Sequence, residues 1–431
     1  MKKLLALTLA ALMVLAFAAG CASESPAPPA SGGNDNNASS GGGNDNQAGS
    51  GGGGDLTEDK ITLKFWESET EGSVFMKYAA EEFTKLYPNI EFEFEPVAHT
   101  DATQKIILDG PAGVGPDVFA IPHDMLGANV SGGTVLPSPN AGYVQNNFVS
   151  AAVTGATYGG TVYGYPMAIE TYALFYNKDI LPEPPTTWDE VIDFAATYND
   201  PSDNKYAIVW ETSNAYFDYI FFSGHGSFLF GPSGDDRTQH SINAPNTIKA
   251  VELFKSLRSI LDVPSGDLSG DFCNSAFESG KAAMYIVGPW RIQDCKDSGI
   301  NFGITTLPIF PGESSPPASF SGVRLMCISA FSNHPAEAAA FLEFCTSNEM
   351  ALKRFEMISQ IPARSDVTVD DEYSAGILAQ AAYAFPMPAI PEMGQYWQAM
   401  GAAYSNIWDG ADVVGELNAA TEVMEATIAE S

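Results

Sequence analysis

The chain has 431 residues with 20 basic against 53 acidic side chains and a net charge of -33, so its surface repels nucleic acid and anionic headgroups. No basic run offsets this; beyond Lys2 and Lys3 at the start, the densest cationic pair is Lys353 with Arg354. Hydrophobic content of 45% with 11% aromatic residues is that of a globular chain long enough for two ordinary domains or one large one, and no nucleic-acid partner is expected.

Met1, Lys2 and Lys3 open a short basic start, residues 4–17 are an apolar run, and Ala18, Ala19, Gly20 and Cys21 close it, which is the plan of an export signal. A core helix would show a polar face at helical spacing, and a membrane span needs about 20 apolar residues; the run has neither. Residues 22–55 contain no aromatic residue and no Leu, Ile, Val or Met, so they cannot bury anything and read as a disordered tether with an r.m.s. span of roughly 30–35 Å. Small residues ahead of Cys21, followed at once by such a tether, resemble the lipobox of bacterial lipoproteins, although Ala18 stands where such motifs usually carry Leu. The resemblance implies a signal peptide over residues 1–20, lipidation of Cys21 at the head of a tether over residues 21–57, and an exported chain anchored to the outer face of the cytoplasmic membrane.

"KITLKFWES" then alternates as a strand, "SVFMKYAAEEFTKLYP" has apolar residues at helical spacing, and "NIEFEFEPV" alternates again. "GPDVFAIPHDML" reads as a buried strand behind a Gly-Pro turn, "YGYPMAIETYALFYNKDIL" as a long extended stretch, and Thr187 is placed to cap a helix in "TTWDEVIDFAATYN". Helical patterns follow in "APNTIKAVELFKSLRSIL", "CNSAFESG" and "NHPAEAAAFLEFCTSNEMALKRF", with strands in "KAAMYIVGPW" and "GVRLMCISAF". This alternation predicts α/β layers with largely parallel sheets and no internal repeat.

Four cysteines remain beyond Cys21, and an exported chain permits two disulfides among them. The pairs nearest in sequence, Cys273 with Cys295 and Cys327 with Cys345, are the expected bridges; four buried free thiols are the alternative. Neither the cysteines nor the five scattered histidines have metal-ligand spacing, and "NDPSDNK" lacks that of a calcium loop, so no metal or cofactor is expected. No nucleophile elbow, phosphate loop or dinucleotide fingerprint occurs, which argues against an enzyme. A glycan hydrolase using two of the many carboxylates is the remote alternative.

Aromatic residues beside Pro and Gly stand out: Trp290 in "VGPWRIQD", Tyr216 and Phe217 in "ETSNAYFDYIFF", and Tyr396 with Trp397 in "FPMPAIPEMGQYWQAM". Flat rings suit the apolar C-H face of a pyranose, and covering ~60 Å² of it gains roughly 1.5 kcal/mol. The hydroxyl rim then needs fixed polar partners, for which Glu67, Asp124 and Glu170 are candidates.

In the same order, "GPDVFAIPHDMLG", "YGYPMAIETYALFYNKDILPEPPTTWDEV", "AFESGKAAMYIVGPW" and "MPAIPEMGQYWQAM" resemble segments of the solute-binding proteins of bacterial carbohydrate ABC importers, and within them the maltose/maltodextrin-binding proteins. The resemblance implies a two-lobed, periplasmic-binding-protein-like type II fold with a hinged cleft, one lobe from residues 58–168 and 320–367 and the other from 169–318 and 370–431. It further implies a monomer that takes up an α-glucan oligosaccharide and delivers it to the permease subunits of the importer. Carried over by position, Asp124 and Glu170 would bond sugar hydroxyls and Tyr216, Phe217, Trp290 and Trp397 would form an aromatic platform, with Glu67 facing the cleft. Ile121, Met125, Gly401 and the Thr70–Glu71 pair depart from the best-known maltose binder, which leaves another neutral oligosaccharide or a glycoside as the alternative ligand.

Overall fold

The computed structural model describes residues 56–69 and 71–430. The expected signal peptide, the lipidation at Cys21, the tether up to residue 55 and Thr70 lie outside the described residues.

β1 (Ile61–Glu67) buries Leu63 and Phe65, a helix follows over Glu71–Leu86, and β2 (Ile90–Pro96) returns parallel to β1 with Ile61 opposite Ile90. β3 (Val118–Pro122) flanks β1 on the other side, also parallel. A small hairpin of β4 (Thr157–Tyr158) and β5 (Thr161–Val162) leads into β6 (Gly164–Thr171), and after Tyr172 the chain continues in β7 (Ala173–Asn177). β7 belongs to a second sheet with β8 (Tyr206–Val209), β9 (Ala282–Val287) and β10 (Phe302–Thr305), in the order β10-β7-β9-β8. The chain then comes back as β11 (Phe320–Ile328), which inserts between β6 and β3, followed by β12 (Ile361–Pro362) beside β6 and β13 (Phe385–Pro386) beside β11.

The expectation of largely parallel sheets is corrected by this topology. β11 runs antiparallel to both β3 and β6, β12 antiparallel to β6, and β7 antiparallel to both β9 and β10. The reason is the route of the chain: β6 leaves the first sheet for the second, so the returning strand beside it points the opposite way.

Two hydrophobic cores result. The first collects Leu63, Phe83, Val118, Tyr165, Leu325 and Phe341, with the Phe92 ring 4.4 Å from that of Phe341. The second collects Phe175, Trp188, Trp210, Phe221, Phe254 and Trp408, with the Trp210 and Trp408 rings 5.4 Å apart. Its centre is the helix Ala215–Ser223, apolar almost all round and buried almost throughout, as such a helix must be. Thr187 caps the helix Trp188–Tyr198 as expected, with Glu190 completing the reciprocal bond to the Thr187 backbone. Among the described residues no helix is long and apolar enough to cross a membrane, and no group of three His, Cys, Asp or Glu is placed to hold a metal.

The expected disulfides are also corrected: Cys273, Cys295, Cys327 and Cys345 are free and buried. Each thiol fills the core from its own element, Cys273 and Cys295 from the helices Gly270–Glu278 and Ile292–Ser298, Cys327 from β11 and Cys345 from the helix Pro335–Cys345. Nearness in sequence does not bring two Cβ atoms to the roughly 4 Å that a bridge needs. Burial pushes the Cys295 thiol up to about 12 and the other three higher, which suppresses the reactive thiolate. Alkylation of the protein in denaturant, without prior reduction, is therefore expected to label all four, and the folded protein to leave them unlabelled; a Cys273–Cys295 or Cys327–Cys345 linked peptide in the mass spectrum contradicts this.

Asp218 lies in the second core, fully buried, accepting at 2.9 Å from the Trp210 indole N-H. Burial pushes its carboxyl well above the usual range despite that bond. A group with a raised folded-state pKa supports the fold fully below its ordinary value and progressively less as pH rises from there. Asp218→Asn should therefore melt above the wild type at pH 8, with the gap closing towards pH 4, in parallel calorimetric scans.

Candidate functional site

The aromatic candidates come from elements of the second core. Trp290 stands in the short turn Pro289–Arg291 directly after β9, at the carboxyl end of the strand, where α/β sheets gather ligands. Its indole lies against Gly288, where a Cβ would fall 2.1 Å from Cζ3, so only glycine admits the ring in this position. Tyr216 and Phe217 occupy the first turn of the helix Ala215–Ser223, whose start is fixed by the Asn214 side chain accepting from the Tyr216 N-H. Trp397 is in the first turns of the helix Met393–Trp408.

These rings form a continuous row. Trp290 is 6.4 Å from Tyr216, Tyr216 is 6.3 Å from Phe320, and Phe320 is 5.4 Å from Trp397. Trp290, Tyr216 and Trp397 are half-buried, whereas Phe217 is 4% exposed and packs beneath, 6.3 Å from Trp290 and 5.3 Å from Tyr172. Phe217 thus supports the platform rather than presenting a face of it, which corrects the sequence expectation: the first helical turn points one ring out and the next inward. Phe320 and Tyr172 were not singled out from the sequence, since a buried ring in a strand or between two strands carries no local mark of its place beside a site.

The polar candidates come from strands of the first core. Asp124 sits in the turn His123–Met125 at the carboxyl end of β3, and its Oδ2 accepts at 3.0 Å from the Trp397 indole N-H, a direct bond from one core's elements to the other's. Burial pushes the Asp124 carboxyl up to about 6, and its Oδ1, shielded from solvent, has no hydrogen-bond partner. Glu170, near the end of β6, keeps 14% of its side chain exposed. Tyr216 brings the set together: its phenol is pushed well above the usual range by burial first and then by the nearby Glu170 and Asp124 carboxylates. Next to Asp124, His123 accepts at Nδ1 from the Val323 N-H at 3.1 Å, so its Nε2-H donates to the Met387 carbonyl at 3.0 Å, pinning the 385–388 segment to the first sheet.

Glu67 does not face the cleft. It is fully buried and forks onto the Arg324 guanidinium, with the Ser68 N-H donating to its Oε1 at 2.8 Å. Burial alone pushes its carboxyl up, and Arg324 outweighs this and leaves it below the ordinary range. The expected sugar contact at Glu67 is therefore corrected: β1 ends inside the sheet, and the carboxylate is spent on a buried ion pair. The missed partner had a sequence signal, a lone Arg inside the apolar strand "GVRLMCISAF".

Half-buried rings linked through Phe320, with a carboxylate from the opposite core bonded to Trp397, are suited to binding a polyhydroxylated apolar-faced molecule. Residues 78–381 match the bacterial extracellular solute-binding protein family. The chain is 32% identical over 343 residues to the maltotriose-binding protein of Pyrococcus abyssi, covering 76% of this chain and 73% of that one. It is 29% identical over 380 residues to the galactooligosaccharide-binding protein of Bacillus subtilis, covering 85% and 89%. Among solved structures, a cyclo/maltodextrin-binding protein complexed with maltotetraose superposes with a TM-score of 0.72 at 33% identity, over 86% of this chain and 98% of the other. The Thermus thermophilus maltotriose-binding protein bound with maltotriose superposes at 0.78 with 26% identity, over 85% and 100%.

Because the Trp290 ring occupies the space a side chain at 288 would need, Gly288→Ala should displace it. The expected result is a changed tryptophan emission spectrum with a melting temperature close to that of the wild type; an unchanged spectrum would show that the ring is not held against residue 288.

Proposed function

The chain belongs to the bacterial extracellular solute-binding protein family, and from that premise we propose that it captures maltodextrin-type oligosaccharides and delivers them to the permease of an ABC importer. The observation that carries this reading is the ring row Trp290, Tyr216, Phe320 and Trp397 ending at Asp124 and Glu170. Trp290, Tyr216 and Trp397 cover the apolar faces of glucose units, with the buried Phe320 ring packed against Tyr216 and Trp397; the carboxylates and the Tyr216 hydroxyl take the hydroxyl rim. Solved relatives bound to maltotetraose and maltotriose support an α-glucan as the ligand class.

Capture follows from the division of labour between the cores. Trp290, Tyr216 and Trp397 belong to a lobe of residues 169–318 and 370–431 and Asp124 to a lobe of 58–168 and 320–367, while Glu170 and Phe320 lie on the β6–β11 crossing between them. A ligand that touches both groups favours the closed arrangement by its extra contacts there, and only by that difference. The Asp124–Trp397 bond joins the lobes directly, and a sugar entering between them exchanges it for its own hydroxyl contacts. No chemistry on the sugar is proposed: the carboxylates act as acceptors, and the protein works without a cofactor. Export, lipidation at Cys21 and tethering to the outer face of the cytoplasmic membrane complete the reading, with the protein acting as a monomer, and they agree with the pneumococcal relative named as a maltooligosaccharide transporter lipoprotein.

A second ligand class is favoured by a specific observation. The galactooligosaccharide-binding relative covers more of the chain than the maltotriose-binding one, and Met125, next to Asp124, and Gly401, one turn after Trp397, carry no charge. Tryptophan-fluorescence titration with maltotriose, galactotriose, cellotriose, xylotriose and raffinose separates the two. Saturation by maltotriose alone supports the α-glucan, saturation by another sugar replaces it, and silence across the panel removes the oligosaccharide reading. With the sugar that binds, Trp290→Ala and Trp397→Ala should each cost about 1.5 kcal/mol of affinity, roughly tenfold, while shifting the melting temperature little; undiminished affinity in both would remove the ring row from the site.

A further inference from the structure

Arg324 lies in β11 opposite Pro122 of β3 and Ala168 of β6. Gly322, two residues earlier and so on the same face of the sheet, is opposite Glu170, which makes Arg324 and Glu170 diagonal neighbours. The β6–β11 register shifts between Arg324 and Leu325, an irregularity of the kind that re-aims side chains next to sites. Arg324 Nη1 stands 3.6 Å from Glu170 Oε1. On its other side the guanidinium is anchored: Nε donates to Glu67 Oε2 at 3.4 Å, Nη2 to Glu67 Oε1, and Nη2 also lies 3.4 Å from Ser68 Oγ. The helix Glu71–Leu86 closes over this pair, since a Cβ at Gly72 would come within 3.0 Å of Glu67 Cδ and 3.3 Å of Arg324 Nη2.

Two carboxylates thus share one buried cation, and they differ in reach. Glu67 is fully buried and Arg324 is 5% exposed, whereas Glu170 remains open to the site. A second cation, Arg354, lies behind, its Nε and Nη2 donating to Gln360 Oε1 and its guanidinium 5.0 Å from the centre of the Phe75 ring, so the cluster of two Arg and two Glu is balanced. A buried, balanced and doubly anchored cluster costs desolvation and is a weak source of stability, so its geometry calls for another explanation.

We propose that Arg324 is a positioning residue for sugar recognition: held by Glu67, it fixes the Glu170 carboxylate, with Oε1 towards the guanidinium and Oε2 towards the ligand. A pre-oriented acceptor loses less side-chain freedom on binding and discriminates between hydroxyl arrangements that a mobile one would accommodate. The inference rests on the sugar-binding reading of the site.

The test is a double-mutant cycle on the purified protein, with maltotriose as the probe and melting temperatures recorded beside each titration. Arg324→Gln and Glu170→Gln are each expected to weaken binding by about tenfold or more. The double variant should be no weaker than Glu170→Gln alone, and Arg324→Lys should restore part of the loss. Losses that add in the double variant would overturn the proposal, because they mean that Arg324 does not act through Glu170. Since Arg324→Gln strands the buried Glu67, the pair Glu67→Gln/Arg324→Gln replaces it in the cycle if it fails to fold. Failure of the wild type to bind maltotriose counts against the maltodextrin reading and leaves Arg324 to be decided by a crystal structure of the folded variant without sugar. A Glu170 side chain displaced or spread over several positions supports the positioning role, and one unmoved from its wild-type place overturns it.

Discussion

The pairing of β6 with β11 constrains everything else in the structure. From Gly164 opposite Cys327 to Thr171 opposite Ser321, this antiparallel ribbon begins in the first core and ends in the second. Tyr165 and Leu325 pack in one, Tyr172 and Phe320 in the other, so neither core forms without fixing the strands that enter its neighbour. Hinge motion between packed bodies is absorbed by the few segments that connect them, and this ribbon is one such segment. It also sets the site, because Glu170 and Phe320 lie where the ribbon passes from one core to the other.

The electrostatics follow from that placement. In a chain with a net charge of -33, buried and half-buried carboxylates need local partners to keep a fixed geometry, and the described structure supplies three kinds. Glu67 has the Arg324 fork, Glu170 stands beside the same guanidinium, and Asp124 has an indole N-H from the opposite core. The last joins the helix Met393–Trp408 of the second core to the turn that ends β3 in the first. The cost of desolvating these groups is met by the packing of two large aromatic cores, which bury rings of some 150–250 Å² each.

The family resemblance read from four ordered segments agrees with the matched family and with the solved relatives, and the reason is that those segments combine turn chemistry with site residues. Gly288 and Pro289 shape the turn that carries Trp290, Thr187 caps its helix, and Asp124 follows the strand that ends at Pro122. Each is a short-range feature whose cause lies within a few residues. The structure departs from the sequence expectation at Phe217 and Glu67 because both are adjacent to candidate site or strand-end positions, and a neighbour in sequence differs from its neighbour by the direction of one side chain.

By itself the sequence determined the alternation of strands and helices, the caps, the apolar content of both cores and the residue types of an oligosaccharide site, because periodicity and local hydrogen bonding are written in consecutive residues. Only the tertiary structure decided the strand directions, the four free thiols, the burial of Glu67 and the meeting of Trp397 with Asp124, 273 positions apart in the chain. Those depend on the route of the chain between two cores, and no local pattern encodes which distant strand will arrive beside a given side chain.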